Sequence, residues 1–196
     1  SIRSGITRKI VELLTSMAGK ESDKYQTFWK EFGRAIKEGV IDDPSEKDKK
    51  QELAGLFRFT STNADTDEQT VSLKDYVSRM KQGQKEIYYI TAENLATARN
   101  SPHLEIFRDK GVEVLLLTDP IDEWVTAHLS EFDDKPLKSV MKGELDLGEL
   151  DTTEKATDVS TETTLNDAFI QRIKETLGDR VKDVRATSRL TTSPAC

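Results

Sequence analysis

The sequence predicts an α/β protein: a helical segment followed by a small α-β-α unit with a parallel βαβ core, then a linker, a helix and one strand of a truncated domain. Three features of the 196 residues point to it. Apolar residues recur at helical spacing up to about Phe59. Two short apolar runs, around 87–90 and 112–118, are separated by helix and turn signals, the order that joins parallel strands by a crossover. A stretch over 142–163, rich in acids, Thr and Ser, then interrupts the apolar pattern. The expected divisions are 1–71 for the helical part, 72–141 for the α-β-α unit, 142–163 for the linker and 164–196 for the start of the truncated domain.

The first helix carries Ile2, Ile6, Ile10, Leu13, Leu14 and Met17 on one face. The chain starts with Ser1 and meets this periodicity at once, so the helix is expected to be entered midway. Ser22 is placed to cap a second helix with Tyr25, Phe28, Trp29, Phe32 and Ile36 on its core face, Gly33 inside it and Gly39 at its end. Asp43, with Pro44 at N1 and Glu46 at N3, is expected to begin a third, burying Leu53, Leu56 and Phe57.

In the second section, Ile87 to Ile90 form the first strand. Val112 to Thr118, almost continuously apolar, form a second one buried on both faces. Two short helices connect them by a right-handed crossover; Ser101 and Pro102 start the second, and Gly111 ends it. Pro136 to Val140 read as a short edge strand, because proline cannot donate to a ladder. The linker sets seven acids, from Glu144 to Glu162, against Lys142 and Lys155. Leu165, Phe169, Ile173 and Leu177 then mark a helix ending at Gly178. Val184, Ala186, Ser188 and Leu190 alternate with polar residues as one half-buried strand of a domain whose remainder lies beyond residue 196.

Composition narrows the function. A net charge of −7 argues against nucleic-acid binding, which needs concentrated Lys and Arg. Cys196 is the single cysteine, so no internal disulfide forms, and a reducing, cytoplasmic compartment is expected. No apolar run approaches the roughly 18 residues that cross a bilayer, so no membrane role is expected. Neither a phosphate cradle of the form GxxxxGK[ST] nor a cluster of zinc ligands can be read; His103 and His128 stand apart from other metal ligands in sequence.

Longer strings carry a resemblance. KYQTFWKEFGRAIKEG, LFRFTST, SLKDYVSRM, KEIYYIT, SPHLEIFRDKGVEVLLLTDPIDEW and LGDRVKDVR, in that order, span most of Lys24 to Arg185 outside the linker. They resemble the bacterial ninety-kilodalton heat-shock-protein chaperone family, covering the later part of its middle domain and the start of its C-terminal domain. The resemblance implies a segment of a homodimeric, ATP-driven chaperone that binds unfolded or partly folded client proteins. It places ATP and Mg in the parent's N-terminal domain, so this chain is expected to hold no cofactor and no metal, to have no catalytic residue or ATPase activity of its own, and to be monomeric.

Two readings concern the acids after the second buried strand. Asp119 and Asp122, at the strand end where open α/β sheets place their sites, could hold Mg²⁺ in a metal-dependent phosphotransfer domain. Alternatively Asp119 is an N-cap, Pro120 the N1 residue and Asp122 the acidic N3 of a helix. Along that helix Ile121, Val125 and Leu129 face the core, leaving Glu123, Trp124 and Ala127 away from it. A tryptophan offers broad apolar contact with one N–H donor, and neighbouring acids discourage self-association. The resemblance carries a client-binding role onto Glu123 and Trp124; relatives often have a larger polar residue where Ala127 stands. The alternative is that Trp124 packs against the missing domain or the linker. The resemblance also places the seventy-kilodalton co-chaperone on the middle domain, making Arg8 and Lys9 candidate contacts, set against an ordinary solvated helix face.

Overall fold

A computed structural model describes residues 2–42, 47–142, 169–182 and 184. Two long helices open it, α1 (Ile2–Lys20) and α2 (Ser22–Asp42), joined through Glu21. Leu14 of α1 is buried, with Val11, Met17 and Ala18 packed beside it. On α2, Tyr25 and Trp29 are buried, and the Tyr25 hydroxyl donates to the Leu56 carbonyl at 2.5 Å, which ties α2 to the end of α3 (Lys47–Ala54). Leu56, Phe57 and Phe59, just beyond α3, complete this aromatic layer.

A mixed five-stranded sheet follows, ordered β1-β3-β2-β5-β4 in space. Its strands are β1 (Thr60–Ser61), β2 (Ile87–Thr91), β3 (Leu115–Leu117), β4 (Glu131–Phe132) and β5 (Lys135–Ser139). β2 pairs in parallel with both β3 and β5, while β1 and β4 run antiparallel at the two edges. Side-chain alternation sorts these strands between two cores. Ile87, Leu115 and Leu117 face the layer built from α1, α2 and α3. Tyr88, Ile90 and Leu116 face the opposite core, closed by α5 (Leu95–Arg99), a 3-10 turn (Pro102–Leu104) and α6 (Glu105–Asp109).

Local chemistry accounts for the element ends. α4 (Leu73–Ser78) begins in a capping box: the Ser72 hydroxyl accepts from the Asp75 amide, and the Asp75 carboxylate accepts from the Ser72 amide. The Tyr76 hydroxyl on α4 donates to the Glu113 carbonyl at 2.7 Å and accepts from the Tyr88 amide at 3.0 Å, bracing α4 against the strands. Gly111, with φ of +58°, turns the chain from α6 toward β3. α7 (Asp122–His128) follows β3, and Asp133 and Asp134, both at positive φ, make the two-residue turn between β4 and β5.

The parallel β2–β3 pair, the crossover helices, Pro102 at a helix start and Gly111 at a helix end agree with the sequence. Other expectations need correcting. Ile6, Ile10 and Leu13 on α1 and Phe32 on α2 are at least half exposed, where periodicity puts them on apolar faces. α2 starts at Ser22 itself and continues past Gly39 to Asp42. β5 is an inner strand between β2 and β4. Pro136 is tolerated because β5 starts pairing with β2 only at Leu137, whose amide donates to Ser130. β1 has no counterpart in the sequence reading.

The predicted cap at Asp43, Pro44 and Glu46 lies outside the described residues, as do nearly all of the linker and the final strand. Part of the last predicted helix is described: residues 169–177 are helical, and Gly178, at φ of +52°, leads into a 3-10 turn.

Candidate functional site

α7 divides its faces as its sequence requires. Val125 and Leu129, one turn apart, are buried beside the partly buried Ile121. Glu123, Trp124 and Ala127 are exposed, Trp124 by 62% of its surface. An indole this open is unusual, since aromatic side chains bury large areas when a partner surface is available. The Trp124 carbonyl lies 2.8 Å from His128 Nδ1, a contact within the helix that leaves the indole ring itself in solvent.

Beneath this surface the structure assembles a polar network that sequence spacing does not reveal. Lys37 of α2 is fully buried, its Nζ 2.6 Å from Asp119 Oδ2 and 2.7 Å from Asp122 Oδ1. Gln69 Nε2 donates to the same Asp119 oxygen at 3.0 Å, while Gln69 Oε1 accepts from Trp29 Nε1 at 2.8 Å. The ammonium also lies over the rings of Phe59 and Trp29, 5.1 and 5.8 Å from their centroids. Asp122 Oδ2 accepts from the Asp119 amide at 3.1 Å, closing the turn that leads into α7.

The two carboxylates differ. Burial raises the Asp119 pKa, but the Lys37 charge and the hydrogen bonds from Lys37 and Gln69 outweigh it and hold the group below its ordinary value. At Asp122 burial prevails over Lys37, and the nearby Asp119 charge adds to it, so its pKa is raised. Removing the cation would leave the buried Asp122 without its partner, whereas Asp119 is partly solvated.

This geometry corrects the metal-dependent phosphotransfer reading. The position between Asp119 and Asp122, where Mg²⁺ would have to bind, is filled by the chain's own ammonium. Among the described residues no group of three or more His, Cys, Asp and Glu side chains is arranged to hold a metal ion. The capping alternative holds in part. Asp122 reaches back to the Asp119 amide, but the Asp119 side chain serves Lys37 and Gln69, and no side chain caps α7, whose first helical residue is Asp122.

Arg8 and Lys9 are exposed on α1, Arg8 pairing with Glu12 one turn on at 3.4 Å, and they belong to a different element from Trp124. Sequence reasoning missed Lys37, which meets Asp119 across 82 residues of chain. One signal was present: Trp29, Gly33 and Lys37 lie at successive four-residue steps, which places a lysine on the apolar face of α2.

No helix among the described residues is long and apolar enough to cross a membrane. The sheet is mixed and covered by helices on both faces, and Trp124 stands open on a short helix at its side. Residues 1–196 match the model of the Hsp90 protein family, and the chain belongs to that family. It is similar to the curated "Chaperone protein HtpG" of Psychromonas ingrahamii, 53% identical over 195 residues, and to those of Aromatoleum aromaticum and Nitrosococcus oceani, each 55% identical over 206 and 197 residues. All of this chain is covered in these comparisons, and it spans about 30% of the length of each of these relatives.

Proposed function

We propose that this chain is the client-facing segment of an ATP-driven chaperone, in which α7 presents Glu123 and Trp124 to unfolded or partly folded proteins. The observation that carries this reading is Trp124, 62% exposed on a helix whose other face is firmly buried. A broad apolar ring flanked by an exposed carboxylate suits weak, adaptable contact with many sequences and resists self-association. The similarity to proteins named HtpG chaperones supports the same reading.

In the parent, nucleotide-driven closure of domains would alter the surface offered to the client, and this segment would transmit that change. ATP, Mg and the dimer contacts are assigned to the parent outside this chain, whose own role is binding and coupling without hydrolysis. Arg8 and Lys9, exposed together on α1, are the proposed contact for a seventy-kilodalton co-chaperone, and the cytoplasm is the proposed compartment.

Titrating a destabilised client protein against the wild-type chain and Trp124→Arg tests the client surface. Weaker binding by the variant, with its fold intact, is expected; equal affinities would defeat the proposal.

A further inference from the structure

Since α7 has only seven residues and no side-chain cap at its start, something else must fix its first turn. Val125 and Leu129, with the partly buried Ile121 just before the helix, hold its inner face by apolar packing, which is not directional. Beside the hydrogen bond from its own amide to the Asp119 carbonyl, Asp122 anchors this turn with its carboxylate, one oxygen facing the Lys37 ammonium and the other accepting from the Asp119 amide. The ion pair with Lys37, close at 2.7 Å but without hydrogen-bond geometry, and the directional hydrogen bond from the Asp119 amide together tie the first turn in a way that apolar packing alone does not. Lys37 is itself held, fully buried in α2 beneath the rings of Trp29 and Phe59, and Trp29 is tied to Gln69.

We infer that Lys37 is a positioning residue: through Asp122 it latches the first turn of α7 to α2 and sets the pose in which Glu123 and Trp124 meet a client. The inference rests on the reading of Glu123 and Trp124 as the client surface. It adds a route by which movement of α2 reaches that surface, since Asp122 is immediately followed by Glu123 and Trp124. Asp119 has a different part. It neutralises Lys37 and receives Gln69, but it lies in the turn before the helix.

This difference supplies the test. Asp122→Asn leaves Lys37 paired with Asp119, so no lone charge is buried, yet it weakens the tie to α7. Asp119→Asn is the matched change that keeps the tie. Backbone amide exchange would be measured residue by residue in both variants, together with affinity for a destabilised client. In Asp122→Asn, exchange over 125–129 is expected to quicken roughly tenfold while β2 and β3 amides stay protected, the mark of local opening. Client affinity should fall about fivefold, and Asp119→Asn should change both readouts by less than about twofold.

Unchanged exchange in α7, or equal acceleration across α7, β2 and β3, would overturn the latch. So would local opening with unchanged client affinity if Trp124→Arg does weaken binding. Should Trp124→Arg bind clients as tightly as wild type, it is the surface reading that fails, and the exchange data still judge the contact between α2 and α7. If Asp122→Asn does not fold, Asp122→Glu, which keeps the charge but displaces it by one methylene, is measured against the same criteria.

Discussion

Replacing Gly33 with alanine sets helix propensity against packing, and the structure decides the sign. In the middle of α2 the substitution should gain about 0.5–1 kcal/mol, because alanine has less backbone freedom to lose. The new Cβ, however, would lie 2.7 Å from Cε2 of Trp29, 2.9 Å from Cδ2 and 3.0 Å from Cζ2. Such contacts require the ring to move. Trp29 is 3% exposed, with its Nε1 donating to Gln69 at 2.8 Å, its ring centroid 6.2 Å from that of Phe57 and the Lys37 ammonium over its face. Overpacking a site this full costs about 1–3 kcal/mol, and losing the indole hydrogen bond about 1 kcal/mol more. The net expectation for Gly33→Ala is a loss of about 1–3 kcal/mol. Urea unfolding followed by circular dichroism, with tryptophan emission recorded in parallel, measures it. An equal or greater stability would refute the reasoning, because it would mean that Trp29 gives way freely and is not pinned by the network.

Asp133 and Asp134 have φ values of 50° and 56°, the left-handed pair required by a two-residue hairpin turn. Asp134→Gly should relieve that strain and stabilise the chain by about 0.5 kcal/mol, after the greater freedom of glycine when unfolded is subtracted; a fall in melting temperature would contradict this. Tyr25 is pushed up to about 12 by burial, partly opposed by the charge of Arg58, whose guanidinium lies 4.6 Å from the ring centroid. The folded chain therefore keeps the phenolic proton more tightly than the unfolded chain. Its contribution to stability is complete below about pH 10 and is lost as pH rises toward 12. Tyr25→Phe should flatten part of the alkaline decline seen in unfolding experiments across that window; a decline of unchanged steepness would be inconsistent with the assignment.

Much of the fold was legible because particular segments carried redundant signals. Tyr88, Ile90 and Leu116 face one core, while Ile87, Leu115 and Leu117 face the other, so both central strands are apolar throughout and stand out in the sequence. The faces of α7 were equally clear, since Ile121, Val125 and Leu129 repeat every four residues and the acids and Trp124 fall between them. What escaped notice depends on distant partners. β1 is only two residues long and exists as a strand because Thr60 and Ser61 pair with Leu116 and Leu115. Periodicity marks Ile6, Ile10 and Leu13 as apolar but cannot say whether a neighbour covers them, and the structure leaves them exposed. The candidate metal acids looked alike in the same way: Asp119 and Asp122 carry no mark of the lysine 82 residues upstream of Asp119 that occupies the space between them.

The client surface is tested most directly at the indole ring. Trp29 is buried and Trp124 is open, so the difference in emission between the wild-type chain and Trp124→Phe reports on Trp124. If roughly 60% of an indole side chain's area is available for contact, burying it would contribute at most about 3–4 kcal/mol before ordering costs, ample for a measurable change. As a destabilised client is titrated in, the emission of Trp124 should shift to the blue and its quenching by acrylamide should fall, both saturating with the binding curve. Full client binding with Trp124 as red-emitting and as readily quenched as in the free chain would contradict the account.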